Sequence, residues 1–285
     1  MPQERAPDSG TADTSLDRSF LAGRPVSTMG DMVKTQKDRI ALVTGANKGI
    51  GFQTARLLGL EGMTVLVGSR DAARGAEAEK ALREEGIDAR ALTLDVADAE
   101  GVRAAAARVE ADFGRLDVLV NNAGVALAWG GIGETDPVQL LRMLEVNVVG
   151  LVTVTDAFLG LLRRSESARV VNVSSEVGSI GTMTDPASPF FSMGGNTGYP
   201  ASKAAVNMVT ALYAKALAPG GIKVNAANPG YCETDLNGNT GTRTPEQGAR
   251  VSLHLATLPD DGPDGVLWGH LASEPDPESY GVLPW

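Results

Sequence analysis

From Arg39 onward the apolar positions of this chain follow two alternating patterns. Short, continuously apolar runs occupy Ile40–Val43, Thr64–Val67, Ala89–Leu94, Val118–Val120, Arg169–Val173 and Ile222–Ala226, and longer amphipathic stretches separate them. Runs of the first kind suit strands covered on both faces, and the second kind suits helices. Helices are predicted to about Glu61, near Ala72–Glu85, up to Phe113, over Val146–Leu162, near Ala201–Leu217 and over Pro245–Leu258, with a last strand ending about His270. This β/α alternation predicts an α/β fold: one doubly wound domain over residues 39–285, with a parallel seven-stranded sheet and helices on both faces. Residues 1–38 mix Pro, Ser, Thr, Asp and Arg without periodicity and read as a flexible leader, with Met29 and Met32 as alternative starts.

Composition narrows the partners. An apolar share of 43% fills a sizeable core, and 21% charged residues is too few for a disordered chain. The net charge of -10 is uneven: residues 39–258 hold 20 basic and 23 acidic side chains, whereas residues 259–285 hold six acidic and no basic ones. Without a basic face a nucleic acid is excluded as a partner, while an anionic small ligand needs only a few local cations. One cysteine, Cys232, allows no intrachain disulfide, and His254 and His270 lack metal-ligand spacing, so no metal is expected and a reducing cytoplasm fits. The N-terminus has no apolar signal core. The most apolar long stretch, Val146–Leu162, is interrupted by Asn147 and Asp156 and reads as a buried helix rather than a membrane span.

Candidate chemistry begins at Thr44-Gly45-Ala46-Asn47-Lys48-Gly49-Ile50-Gly51, a glycine turn between the first strand and the first helix. Glycines there permit the bend and let backbone approach a pyrophosphate at the positive end of a helix. Alone, such a turn is a weak signature, and its spacing, G-x-x-x-G-x-G, is not the usual G-x-G-x-x-G. The second strand ends at Ser69-Arg70-Asp71. An acidic residue in this place takes the ribose hydroxyls of NAD, and a basic one takes the 2′-phosphate of NADP. Lys48 and Arg70 converging on one phosphate favour NADP(H) over NAD(H), and Asp71 is assigned to capping the next helix.

Tyr199 and Lys203 stand at i, i+4, on one helix face. A free phenol has a pKa of about 10, and a neighbouring ammonium lowers it. Upstream, Arg169–Val173 runs into Ser174 and Ser175, Asn121-Asn122-Ala123-Gly124 follows the fourth strand, and Asn147 is expected to begin the long apolar helix. In doubly wound sheets ligands bind at these strand ends. Each residue has a bland alternative as a cap or turn former.

Taken together and in order, the glycine turn, Asp95-Val96, Asn121–Gly124, Asn147, Ser175, Tyr199-x-x-x-Lys203 and Asn228-Pro229-Gly230 resemble the short-chain dehydrogenase/reductase family over residues 39–285, a Rossmann fold. The resemblance implies Tyr199 as general acid/base, Ser175 as the residue orienting a substrate carbonyl, Lys203 on the nicotinamide ribose, and Asn147 holding a proton-relay water. It further implies cofactor contacts from Gly45, Asn47, Lys48, Gly49, Ile50, Gly51, Asp95 (adenine), Val96, Asn122, Gly124, Pro229, Gly230 and Thr234 (carboxamide or diphosphate). The interval between Ser175 and Tyr199 exceeds the family's common spacing. An insertion over residues 179–198, with the Gly-Ala-Asn-Lys-Gly turn, is similar to the carbonyl-reductase-like branch. It is read as a substrate wall or lid, with a passive surface loop as the alternative. Residues 231–244, rich in Asn, Gly and Thr, are read as a substrate loop. The implied activity is NADPH-dependent reduction of a carbonyl on a small to medium organic molecule. The rivals are an imine or activated-alkene reductase and a non-catalytic dinucleotide sensor. Monomer and homo-oligomer stay open.

Overall fold

In the computed structural model, residues 36–127, 131–194, 197–274, 276 and 278–285 are described. The predicted leader, 1–38, thus lies almost entirely outside the described residues. Successive side chains of a strand face opposite sides, and β1 (Ile40–Thr44) shows the consequence. Leu42 packs into a core with Leu66, Leu119, Val170 and Phe158, while Ala41 and Val43 join Val65, Val67, Val118, Val120 and Leu255 on the other face. Both faces are covered, so the strand is apolar at every position before Thr44.

The remaining strands are β2 (Thr64–Ser69), β3 (Ala89–Thr93), β4 (Val118–Asn121), β5 (Arg169–Val173), β6 (Lys223–Asn228), β7 (Leu267–His270) and β8 (Tyr280–Leu283), in the spatial order β3-β2-β1-β4-β5-β6-β7-β8. Strands β1 to β7 pair in parallel, as predicted. An eighth strand extends the expected seven: β8 pairs antiparallel with β7, with Trp268 opposite Val282. It was missed because its four residues carry little pattern of their own and are fixed by a long-range partner. His270 therefore ends the penultimate strand rather than the last.

One face carries α3 (Ala99–Phe113), α5 (Gly150–Leu162) and α7 (Gly198–Leu217), and the other carries α1 (Gly49–Leu60), α2 (Ala72–Glu84) and α8 (Pro245–Ala256). Asp71 caps α2 as expected, accepting from the backbone N–H groups of Ala73 and Arg74 at 3.0 and 3.1 Å. The apolar stretch over Val146–Leu162 departs from expectation. Helix begins earlier, at α4 (Pro137–Leu144), and reaches α5 through a π-turn, Glu145–Val149. By length and composition the 26-residue run from Pro137 to Leu162 is apolar enough to cross a membrane. Val146, Val154, Phe158, Leu161 and Leu162 nevertheless lie in the core against the sheet. A short helix, α6 (Ile180–Thr184), occupies part of the predicted 179–198 insertion, and Gly181 donates its N–H to the Trp285 carbonyl at 2.9 Å. The chain's last residues thus lie against this insertion.

Candidate active site

The strand order reverses between β1 and β4, and a crevice opens there beyond the carboxyl ends of the strands. Every predicted site residue follows a strand end or lies on the helices flanking this edge. Thr44 ends β1 and ties the two sides together. Its hydroxyl accepts from the N–H groups of Asn122 and Ala123 at 3.0 and 2.9 Å, and the Asn122 amide donates back to the Thr44 and Gly45 carbonyls at 2.8 and 3.2 Å. The glycines have distinct reasons. A Cβ on Gly51 would stand 2.4 Å from the Asn122 amide nitrogen and 2.5 Å from the Gly45 carbonyl, so only hydrogen fits. Gly49 (φ +58°) has only the Thr234 methyl, 3.6 Å from a Cβ position, before it. The turn around Asn47, Gly49 and Ile50 thus presents partly exposed backbone at the start of α1, the form of a phosphate cradle.

The second wall is built from β4, the π-turn and α7. Asn147 sits in the π-turn in the middle of the helical run rather than at its beginning, because helix already starts at Pro137. Its Oδ1 accepts from Val125 N–H at 2.8 Å, and its Nδ2 donates to the Val125 carbonyl at 2.9 Å and to Ser202 Oγ at 3.0 Å. Ser202 in turn donates to the Tyr199 carbonyl at 2.8 Å. Both amide hydrogens of Asn147 are therefore engaged in holding the wall. Gly124 lies beside it: a Cβ there would be 3.4 Å from Asn147 Oδ1 and 3.8 Å from Lys203 Nζ.

The two serines separate as expected. Ser174 is buried and donates to Asn207, whereas Ser175 is half-buried and hydrogen-bonds Tyr199. Burial pushes the Tyr199 phenol up to about 12, the Ser175 hydrogen bond pulling the other way. Lys203 Nζ lies 5.5 Å from the centre of the Tyr199 ring and donates to the Val173 carbonyl at 2.8 Å. Burial draws this ammonium down to about 8. The expectation that Lys203 lowers the Tyr199 pKa is not met: the lysine faces the ring and a backbone carbonyl, and desolvation dominates both groups. The pair leaves a protonated phenol beside a serine hydroxyl, a donor arrangement for an oxygen that gains negative charge.

Glu176, which sequence reasoning passed over, is a buried carboxyl next to Ser175. It is pushed up by burial and steadied by hydrogen bonds from Asn228 and the Ala272 backbone. Its own N–H donates to Asn228 Oδ1 at 3.0 Å, and Asn228 also reaches the His270 carbonyl at 2.8 Å. The ends of β5, β6 and β7 are thus joined beneath Pro229 and Gly230.

At the other end of the crevice, Asp95 follows β3 and accepts from Ala97 N–H at 3.0 Å, and Val96 packs on Gly150. Arg70 is exposed at the end of β2. Lys48, expected to converge with Arg70 on a phosphate, has its ammonium 2.5 Å from Asp235 Oδ2. Arg74, one turn into α2, lies close enough to Asp235 to help hold that carboxyl below the usual range, behind the larger influence of Lys48. Nothing local marks Arg74 in the sequence beyond its i+4 relation to Arg70.

Residues 39–245 match the short chain dehydrogenase family. Among curated relatives, the short-chain dehydrogenase anuI of Penicillium roqueforti is 36% identical over 245 residues, covering 82% of this chain and 94% of its own. The NADPH carbonyl reductase 1 of Sus scrofa is 33% identical over 294 residues, with 87% and 97% covered. A solved structure, a gluconate 5-dehydrogenase from Burkholderia cenocepacia in complex with NADP and tartrate, superimposes with a TM-score of 0.72 at 26% identity, over 82% of this chain and 93% of that one. Glycine cradle, crevice and tyrosine–lysine wall thus belong to an oxidoreductase. The chain is a member of the short-chain dehydrogenase/reductase family.

Proposed function

We propose that the protein is an NADPH-dependent reductase that converts a ketone or aldehyde of a small to medium organic molecule to an alcohol. The observation that carries this reading is the half-buried Ser175–Tyr199 pair beside Lys203, opening on the same crevice as the glycine cradle. The residues fit the cofactor: open backbone at Gly49, the bare Cα of Gly124 facing Asn147 and Lys203, and cations at Lys48, Arg70 and Arg74. A relative with NADPH in its name and a neighbour holding NADP support the same choice.

When bound, the nicotinamide supplies hydride to the carbonyl carbon. Ser175 orients the carbonyl oxygen, and Tyr199 delivers a proton to it as charge develops. Lys203 holds the nicotinamide ribose and keeps a positive charge by the resulting phenolate. Asn147 holds the wall beside Lys203 through Val125 and Ser202. Asp95, Val96, Asn122, Pro229, Gly230 and Thr234 line the cofactor's path. The exposed apolar side chains Ile180, Phe191 and Met193 of the 179–198 insertion support reading it as a wall for an apolar substrate. The cytoplasm is the proposed compartment. The test is product analysis after incubation with NADPH and a panel of ketones, aldehydes, imines and enones. Alcohols are expected; reduction confined to the imines or enones would replace this reading.

A further inference from the structure

Asp235 pairs with the ammonium of Lys48, the cation of the glycine turn. Lys48 precedes α1 with extended backbone (φ -164°, ψ 172°), and its side chain reaches Asp235 from the glycine turn. The chain crosses there because Thr234 packs against Gly49. Arg74 approaches the same carboxylate from α2, while its own partner, Asp71, is 3.6 Å away. Asp235 thus feels cations from the β1–α1 turn and from α2, the helix that follows Arg70.

We infer that Asp235 is an internal stand-in for the cofactor's phosphate, and that Lys48 exchanges the Asp235 carboxylate for the 2′-phosphate when NADP(H) binds. This rests on the NADP(H) reading above. The physical ground is competition: a phosphate monoester carries about -1.5 to -2 charges, and two anions cannot share one ammonium at hydrogen-bond distance without repulsion. Both partners of the pair are exposed, 58% and 64%, so the bond is weak enough to exchange. NADH has no group to place there and leaves the pair intact.

The exchange has a mechanical consequence. The tip of the 231–244 segment is tied to itself. Thr234 and Asn237 cap each other, Asn237 donates to the Cys232 carbonyl at 2.9 Å, and Asn239 N–H donates to the Thr234 carbonyl at 2.9 Å. Its base is anchored by buried Cys232 and Arg243. Losing the Lys48 bond therefore frees residues 235–239 from the glycine turn as a unit while the base stays in place. Asp235 is on this account a specificity-determining residue, weakening NADPH binding selectively and linking phosphate recognition to the loop beside the substrate crevice.

The experiment is calorimetric titration of NADPH and NADH, without substrate, into the full chain and its D235N, K48A, K48A/D235N and R70D variants. D235N is expected to tighten NADPH about two- to fivefold, the range an exposed ion pair supports, with NADH unchanged. That gain is expected to vanish in the K48A background. Hydrogen exchange at residues 235–239 is expected to rise with NADPH and not with NADH. Unchanged NADPH affinity in D235N, weaker binding of both cofactors, equal tightening of both, or no NADPH-dependent change in exchange each overturns the inference. R70D separates the two levels. An unaltered NADPH/NADH preference in R70D removes the phosphate reading itself, whereas a lost preference in R70D with an unresponsive D235N removes only the role given to Asp235.

Discussion

The crevice is held differently at its two ends. Around Asn147, Ser175, Tyr199 and Lys203 the fixing contacts are hydrogen bonds inside the protein, mostly to backbone: Asn147 to Val125, Lys203 to the Val173 carbonyl, Ser202 to the Tyr199 carbonyl. At Lys48, Arg74 and Asp235 the contacts are ion pairs in solvent, and Arg70 is exposed beside α2. Burial at the first end moves the protonation of tyrosine and lysine in opposite directions, and each stays where folding puts it. The second end keeps charges that a ligand can rearrange. On the proposed reading, chemistry with a demanding geometry falls to the hydrogen-bonded wall, and recognition of a charged group to the exposed ion pairs.

Substitutions on the two sides are expected to fail in different ways. Tyr199→Phe keeps the wall and removes the proton donor: turnover is expected to fall about 10²–10⁴-fold while NADPH still binds. Steady-state kinetics together with calorimetry checks both halves, and lost binding would place Tyr199 with the structural residues instead. Arg70→Asp acts on the exposed side. NADPH is expected to weaken about ten- to a hundredfold, from the roughly 1.5–3 kcal/mol of a hydrogen bond to a charged group, with NADH little affected. Asn122→Ala cuts the bond between the walls, leaving the Thr44 and Gly45 carbonyls without their amide partner. Stability is expected to drop by about 1–3 kcal/mol in urea unfolding; an unchanged midpoint would show that Thr44 alone holds the turn.

The smallest effect is in pH. Lys203 is lowered from 10.5 to about 8 by burial, so its ammonium is present below that value and lost as pH rises through it. Tyr199, raised to about 12, remains protonated over the same interval. Carbonyl reduction is therefore expected to decline on the alkaline side of about pH 8 through loss of the lysine charge, not of the phenolic proton. Lys203→Arg, which stays charged, is expected to move that limb upward, measured as kcat/KM against pH.

Much of the fold was legible because a doubly wound sheet writes itself as continuous apolar runs. Arg169–Val173 was bounded to the residue, and the other parallel strands to within a few. The site was legible for the same reason, since its residues follow strand ends in chain order. Besides Glu176 and Arg74, three features were not. The π-turn at Asn147 adds one residue inside an apolar helix and leaves no mark on its periodicity. Strand β8 depends on β7 for its register. The Lys48–Asp235 pair joins residues 187 positions apart, on exposed turns where local pattern carries no information. What the sequence obscured is long-range and lies mostly outside the buried wall.

The central claim is that this crevice reduces a carbonyl. Single turnover with NADPH deuterated at the transferring C4 position, against a mixture of a saturated ketone, an imine and an enone, tests it directly by NMR of the products. The expected product is a secondary alcohol with deuterium on the carbinol carbon and an equal amount of NADP⁺. Deuterium on an alkene-derived carbon or on the carbon of an amine, with the ketone unconsumed, would contradict the claim.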